Sequence, residues 1–433
     1  MRRRAGGLWL VALALVLGAC GDDPVETLDP VVPQGGSGGD AGEGGSGGEG
    51  GAGGQGGQGG EGGEGGTGGD GGGEILPPIE LGEHLRRWGP DQGIRRRVWS
   101  VSADRGGNVW AADLESLLLL RRGSETWEFF TEEDGLLPYP ILSVAGGEDL
   151  EVYVGYEGLF PDDNPFDDPP EISKSGDVDR IRLRGGALDR FHYDLSSPPS
   201  DLYPEGRDIL RSCYRIVPVL DGPFAGDVWF GCNHGVAMWS ARFQQVIEHL
   251  HPAINIGASL FTGDFRGIAI APDGNVWVGG AARTGLVQYA TEGGNFWARI
   301  SPELDVWPEG VALDPEGHDW VMALAADDAG GLWVASFGNG LAYRAPDGSF
   351  RYLTTADGLP DNRIRDLALD LDGSLWVAAG DGLVRVVGGR VAQVLGAADG
   401  LAGSITSVFV DRSQSPRRLI IGTTHGIAIY DGP

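Results

Sequence analysis

The side chains with the most chemical reach in this sequence are few and far apart. His234 and His425 each stand before a glycine and an apolar stretch. A metal would need a third convergent ligand at suitable spacing; the sequence offers none, so no metal is assigned. Asp162, Asp163, Asn164, Asp167 and Asp168 form an oxygen-rich group of the kind calcium takes. They lack the ordered Asp-x-Asp-x-Asp-Gly spacing of a calcium loop and read as a solvated acidic loop. Outside the glycine-rich stretch there is no Gly-x-Ser-x-Gly elbow, and no cysteine stands free beside a histidine once Cys213 and Cys232 are paired. Carboxylate pairs for acid–base work exist. With 62 Asp and Glu against 32 Lys and Arg, a formal net charge of −30, such pairs arise by chance. The same acidity excludes a nucleic-acid partner, whose phosphates need a basic face, and electrostatic adhesion to anionic lipid. No catalytic residue and no cofactor is assigned.

The elements that must position these residues are repeats. A turn, a hydrophobe–aromatic–hydrophobe strand, a second turn and another short strand recur seven times, around Trp110, Tyr153, Trp229, Trp277, Trp333, Trp376 and Ile420. The intervals Trp110 to Tyr153 and Trp333 to Trp376 are each 43 residues, the period of a four-stranded propeller blade. Longer intervals hold insertions, one around residues 160 to 180 and a smaller one near 314 to 319. Period-two alternation bounded by Asp-Gly turns, as in residues 364 to 387, signals hairpins, and the glycine phrases turn hairpins and open no helix, so they are not phosphate loops. The last unit stops after its third strand, at residues 427 to 430. An orphan strand at residues 84 to 88 supplies the missing fourth. The expected fold is therefore all-β: a seven-bladed β-propeller of four-stranded blades over residues 81 to 433, closed by the N-terminal strand. Tryptophans at the repeated position read as packing between blades. The off-pattern Trp297, Trp307 and Trp320 are candidates for exposed stacking.

Before the propeller, residues 35 to 73 repeat Gly-Gly-X, with X drawn from Asp, Glu, Ser, Ala, Gln and Thr. Proline is absent from the repeat, which excludes collagen. Nothing in it can be buried, so residues 20 to 80 read as a disordered tether with a reach of roughly 35 Å. Arg2, Arg3 and Arg4 precede an apolar run from Leu8 to Leu17, too short to span a bilayer. The run ends in Leu17-Gly18-Ala19-Cys20, which resembles the lipobox of bacterial lipoproteins. That resemblance implies a signal peptide over residues 1 to 19, acylation of Cys20 and a cell-envelope location. Gly21, standing where aspartate marks inner-membrane retention, leans to the outer membrane. In such an oxidising compartment Cys213 and Cys232 are a plausible disulfide clamping the third blade.

Residues 352 to 386 (YLTTADGLPDNRIRDLALDLDGSLWVAAGDGLVRV) and 129 to 159 resemble the two-component-regulator propeller repeat family. The shared pattern is D-G-L, a spacer, a hydrophobic strand, D-x-x-G, L-W-V and a G-L turn. The resemblance covers nearly all of residues 81 to 433 and implies the sensor propellers of membrane histidine kinases, many of which sense carbohydrates. Against that plan, no later stretch is apolar enough to cross a membrane and no kinase segment follows. The repeats are also similar to streptogramin lyases, whose words read W-F-T-E. The glutamate is missing from every word here (WAAD, YVGY, WFGC, WVGG, WVAS, WVAA, IIGT).

In such propellers the second-to-third turns and the fourth-to-first loops open on one face around the channel. The turns contribute Glu115, Glu157, His234, Thr284, Asn339, Asp381 and His425 as ligand-binding candidates, and the loops add Asp134, Asp357 and Asp399. Such a rim suits a polar ligand, a glycan or a peptide. The competing reading is that turns select these residues for their own backbone. The chain reads as a lipid-anchored binding, sensory or scaffold propeller without catalysis. The alternatives are a streptogramin-lyase-like or glycan-active propeller enzyme and a scaffold that docks another envelope protein.

Overall fold

The structure is a computed structural model. It describes residues 77–158, 177–195, 212–233, 235–250, 264–282, 286–290, 296–298, 306–307 and 319–432. The fold described belongs to residues 77–432. Seven antiparallel sheets make a seven-bladed β-propeller. The inner strands are Ser100–Ala103, Ile141–Gly146, Cys213–Pro218, Gly267–Ile270, Asp319–Ala326, Ile364–Leu369 and Ile405–Asp411 for blades 1 to 7. Each inner strand touches the next, and that of blade 7 touches that of blade 1, so the ring is closed. Blade 7 takes its outer strand from the N-terminus: Leu85–Trp88 pairs antiparallel with Gly426–Tyr430, Leu85 opposite Tyr430 and Trp88 opposite Ile427. Blade 5 departs from the four-stranded plan, because Ala281–Ala282 adds a fifth strand on Asp319–Trp320. No helix of the described residues is long and apolar enough to cross a membrane.

The sequence repeat is the packing repeat. Trp110, Tyr153, Trp229, Trp277, Trp333, Trp376 and Ile420 are all buried on second strands. Seven apolar clusters fill the seven gaps between adjacent blades. Sheets of this shape must come close at the axis, and that explains the small residue two places after the aromatic. A Cβ on Gly155 would lie 2.7 Å from the carbonyl of Cys213, and one on Gly231 would lie 2.4 Å from that of Phe265, each on the next blade.

The D-x-x-G-x-x-W word has an equally direct cause. Asp104 Oδ2 accepts the indole N–H of Trp110 at 2.9 Å and the backbone N–H of Leu150, on blade 2, at 3.0 Å. Asp370 Oδ2 accepts the indole N–H of Trp376 at 2.9 Å, while its other oxygen takes Arg417 of blade 7. One carboxylate thus caps its turn, satisfies a buried indole and ties its blade to the next.

The second strand of blade 2 ends at Tyr156 and the third, Val178–Arg184, follows the insertion read around residues 160 to 180, which falls between them. One expectation needs correction. Trp307 is no exposed platform: it is 6% exposed, packed in the cluster between blades 4 and 5 and 5.5 Å from Tyr352. An off-pattern tryptophan in a long interval can still be core where it reaches the gap between two blades.

Asp104→Ala leaves the Trp110 indole N–H buried without an acceptor. We expect a loss of about 1–3 kcal/mol, read as a lower denaturant midpoint than that of an exposed control such as Asp91→Ala.

Candidate binding site at the channel mouth

The Asp-Gly-Leu loops are single turns of 3₁₀ helix with fixed roles. Asp134, Asp357 and Asp399 accept the backbone N–H three residues earlier at 2.9, 2.9 and 2.8 Å. The following glycines hold φ of 104°, 102° and 96°, where a side chain is strained. Leu136, Leu359 and Leu401 then plug the gaps between blades. The three aspartates serve their own loops.

The turn candidates divide. Glu115 is exposed and paired with Arg96 at 2.8 Å. Asp381 is exposed and accepts Ser404 Oγ at 2.5 Å. His425 is exposed, its Nδ1 3.0 Å from Thr424 Oγ1. Asn339 caps its own turn, its N–H donating to Ser336 Oγ at 3.1 Å. His234, Thr284, Cys20 and the acidic group at residues 162–168 lie outside the described residues. Glu157 is half-buried, and burial pushes its carboxyl up.

The inner strands hold what the turns do not. In blades 2, 3, 5, 6 and 7 the inner strand carries one extra residue near its start: Leu142, Tyr214, Met322, Arg365 and Thr406 are skipped in the register. Such bulges turn side chains out of the pleat. They sit at the end where the fourth-to-first loops arrive, the mouth of the channel. Below this ring Arg215 spans the channel. Its Nε donates to the carbonyl of Arg266 on blade 4 at 3.0 Å, and its Nη2 to that of Met322 on blade 5 at 3.4 Å and to Asp366 Oδ1 on blade 6 at 2.9 Å. Asp366 Oδ2 accepts Ser407 Oγ at 2.8 Å and the N–H of Val408 at 3.0 Å, both on blade 7. Ser407 Oγ accepts the N–H of Val101 on blade 1 at 3.3 Å, and Ser102 Oγ that of Gly146 on blade 2 at 2.9 Å. Ser143 Oγ closes the circuit onto the carbonyl of Cys213, on blade 3, at 2.8 Å.

Above this floor, blades 2 to 4 bring charged groups together. Arg266 Nη2 lies 3.3 Å from Asp264 Oδ2, and its guanidinium carbon lies 4.2 Å from the centre of the Tyr214 ring. Burial, the charge of Asp264 and a hydrogen bond to it hold the Tyr214 hydroxyl far above its usual range, with Glu157 adding to the effect. Burial pushes Asp264 up to about 6, against a hydrogen bond from Tyr214. Burial and the nearby Arg365 pull Arg266 down to about 10. Arg365 itself lies over the ring of Phe337 at 5.3 Å. A half-buried acid, a phenol and a guanidinium at the mouth offer both hydrogen-bond acceptors and donors to a ligand, and shifted protonation of this kind marks functional sites. Sequence reasoning named Glu157 and missed Tyr214, Arg215, Asp264, Arg266 and Arg365. The available signal was polar pairs, Tyr214-Arg215 and Arg365-Asp366, inside strands that should be apolar.

A second charged cluster sits apart from the channel, on blade 2. His192 Nδ1 lies 2.8 Å from Asp179 Oδ1, and its Nε2 lies 3.5 Å from Asp177 Oδ2. Hydrogen bonds to Asp177 and Asp179 raise the imidazole to about 9. Tyr156 also donates to Asp179, at 3.1 Å, so the group pins the outer strands together.

No family model and no curated protein matches the chain. Solved structures do. The extracellular domain of a hybrid two-component system from B. thetaiotaomicron is 16% identical at a TM-score of 0.58, over 80% of this chain and 41% of that one. The extracellular domain of a one-component system from the same organism is 15% identical at 0.53, over 81% and 39%. A virginiamycin B lyase from Staphylococcus aureus is 12% identical at 0.51, over 80% and 98%. This chain spans about two fifths of the length of the two sensor domains. At such identity the likeness shows the fold, a seven-bladed propeller of the architecture that extracellular regulator domains carry. It agrees with the resemblance read from the Asp-Gly-Leu repeats.

Arg215→Met strands the Asp366 carboxylate in the channel and costs about 3–5 kcal/mol. Adding Asp366→Asn recovers part of that loss, because the carboxylate is gone. Unfolding midpoints of the single and double variants decide it; equal losses refute the account.

Proposed function

We propose that this chain is a cell-envelope binding propeller, held to a membrane by acylated Cys20, which captures or senses a small polar ligand without transforming it. The observation that carries the reading is a group of polar side chains at the mouth: Arg215 bridges several blades across the channel, Arg266 lies against Asp264 and Tyr214, and the charge of Glu157 reaches Tyr214. A ligand with its own donors and acceptors, such as a glycan or a peptide, can bind those half-buried groups. Extracellular sensor domains among the solved structures of similar fold support the sensory side of the reading. The lyase among them keeps an enzymatic alternative in view. Asp264, raised to about 6, is the group that would serve it as acid or base.

The compartment bears on the cysteines. Cys213 and Cys232 stand directly opposite each other across the first two strands of blade 3, both buried and both free thiols in this structure. Cross-strand partners lie about 4.5–5.5 Å apart at Cα, inside the disulfide range of about 4.4–6.8 Å. We propose that after export a disulfide-donating oxidoreductase of that compartment takes two electrons and two protons from the pair and joins Sγ to Sγ. Thiol titration of the denatured, exported mature chain then finds neither thiol until a reductant is added. Finding both at once overturns the disulfide.

The binding reading is tested by a thermal-shift screen of the full chain against glycans, peptides and divalent metals. A ligand at 100 times its Kd stabilises by about 2.7 kcal/mol, and Asp264→Asn or Arg266→Gln removes the shift. A flat response across all classes overturns the small-ligand reading in favour of a protein partner. Chemical conversion of a bound ligand overturns the non-catalytic one.

A further inference from the structure

A cleft of about 290 Å³ lies between blades 2 and 3, at the end of the propeller opposite the mouth. Blade 2 supplies side chains of its second, third and fourth strands. Blade 3 supplies its first-to-second loop, its third-to-fourth loop and Trp239. The volume is at the small end for a ligand pocket and suits one ring with one substituent.

Its walls are aromatic. Phe191 is 38% exposed, 5.0 Å from Tyr193 and 5.6 Å from Trp239, in edge-to-face contacts. The indole N–H of Trp239 has no hydrogen-bond partner among the described residues. The indoles of Trp110 and Trp376, buried between blades, are each taken by an aspartate.

The charges are unevenly matched. Glu151 is paired with Arg182, and Glu148 with Arg105 at 3.3 Å. Arg105 also reaches the largely exposed Asp221. Arg180 has no carboxylate partner among the described residues. Its guanidinium lies 5.1 Å from the centre of the Phe191 ring, beside the hydroxyls of Tyr153 and Tyr193. The cleft therefore offers a cation, an indole N–H and phenol groups next to an open aromatic face, with its nearby acids already engaged. Guanidinium pairs strongly with carboxylate, and more so where water is partly excluded. The net negative charge of the whole chain does not oppose this at close range, because salt screens it beyond about 8 Å.

We propose that this cleft is a second ligand site, for a carboxylate carried on a flat ring: a small aromatic acid or the free C-terminus of a peptide ending in an aromatic residue. The ring stacks in the Phe191–Tyr193–Trp239 corner, and Arg180 takes the carboxylate.

Calorimetry on the full chain tests it, with N-acetylphenylalanine and N-acetylphenylalaninamide as probes. The acid is expected to bind saturably and the amide about tenfold more weakly or worse. Arg180→Gln should remove at least that factor while leaving the thermal midpoint unchanged. Trp239→Phe, which keeps a ring and deletes the N–H, should weaken the acid and spare the fold should Arg180→Gln disturb it. A peptide ending in phenylalanine that binds tenfold tighter than the single amino acid upholds the site and assigns it to peptide ends; equal affinity upholds it and assigns it to small acids. No saturable binding of the acid, equal binding of acid and amide, or full affinity in both variants overturns the proposal.

Discussion

A carboxylate placed where water is scarce must be matched by donors, and in this ring the carboxylate of Asp366 answers to three blades. It accepts from Arg215 of blade 3, from Ser407 and Val408 of blade 7, and from its own neighbour Leu367. Inner strands of a propeller meet around an axis and leave polar backbone facing it. A long cation reaching across the axis can bind several of those groups at once, which no aliphatic side chain can. Arg215 therefore crosses the axis just beneath the residues gathered at the mouth. Removing one partner of such a pair costs more than the pair contributes, since the survivor stays buried and charged.

Much of the architecture was legible in the sequence, because each repeated letter has one physical task. The large side chain of each word fills a gap between blades, the aspartate six residues before Trp110 and Trp376 takes the indole N–H, and the Asp-Gly-Leu loop caps, turns and plugs in three consecutive residues. The orphan strand at Leu85–Trp88 was legible because the last unit was one strand short. The site was much less so. Turn positions are easy to find by repeat, but Asp134, Asp357 and Asp399 are occupied with their own backbone. The groups that do converge, Tyr214, Asp264 and Arg266, stand where the repeat is locally broken by a bulge or just ahead of the strand. A bulge is a shift in register, and register is a property of two strands that no single strand displays. Trp307 fails for a related reason, since periodicity says nothing about a residue that stands off the repeated position.

The two sites use the fold differently. The mouth draws on inner strands of several blades and depends on the ring being closed. The cleft depends only on blades 2 and 3 and on the loops of blade 3. A propeller scaffold tolerates both, because each gap between blades is packed by its own cluster and the loops outside it are free to vary. Likeness of fold to sensor domains and to a lyase is consistent with that freedom.

The chain just before the closing strand is held by its own small clasp. Ile79 donates its N–H to Gln393 Oε1 at 2.9 Å and accepts Gln393 Nε2 on its carbonyl at 2.6 Å. Arg385 donates to the carbonyl of Pro77 at 2.9 Å, and Ile79 and Leu81 sink into the cluster between blades 6 and 7. In mechanical terms the closing strand is a zipper: its first residue faces the last strand's end, so a pull on the N-terminus would part the pairs one at a time, the weakest way to load a sheet. The clasp lies upstream of that zipper and grips a different blade. Tension arriving along the chain meets the outer strand of blade 6 first, and the seam that closes the ring is spared the load.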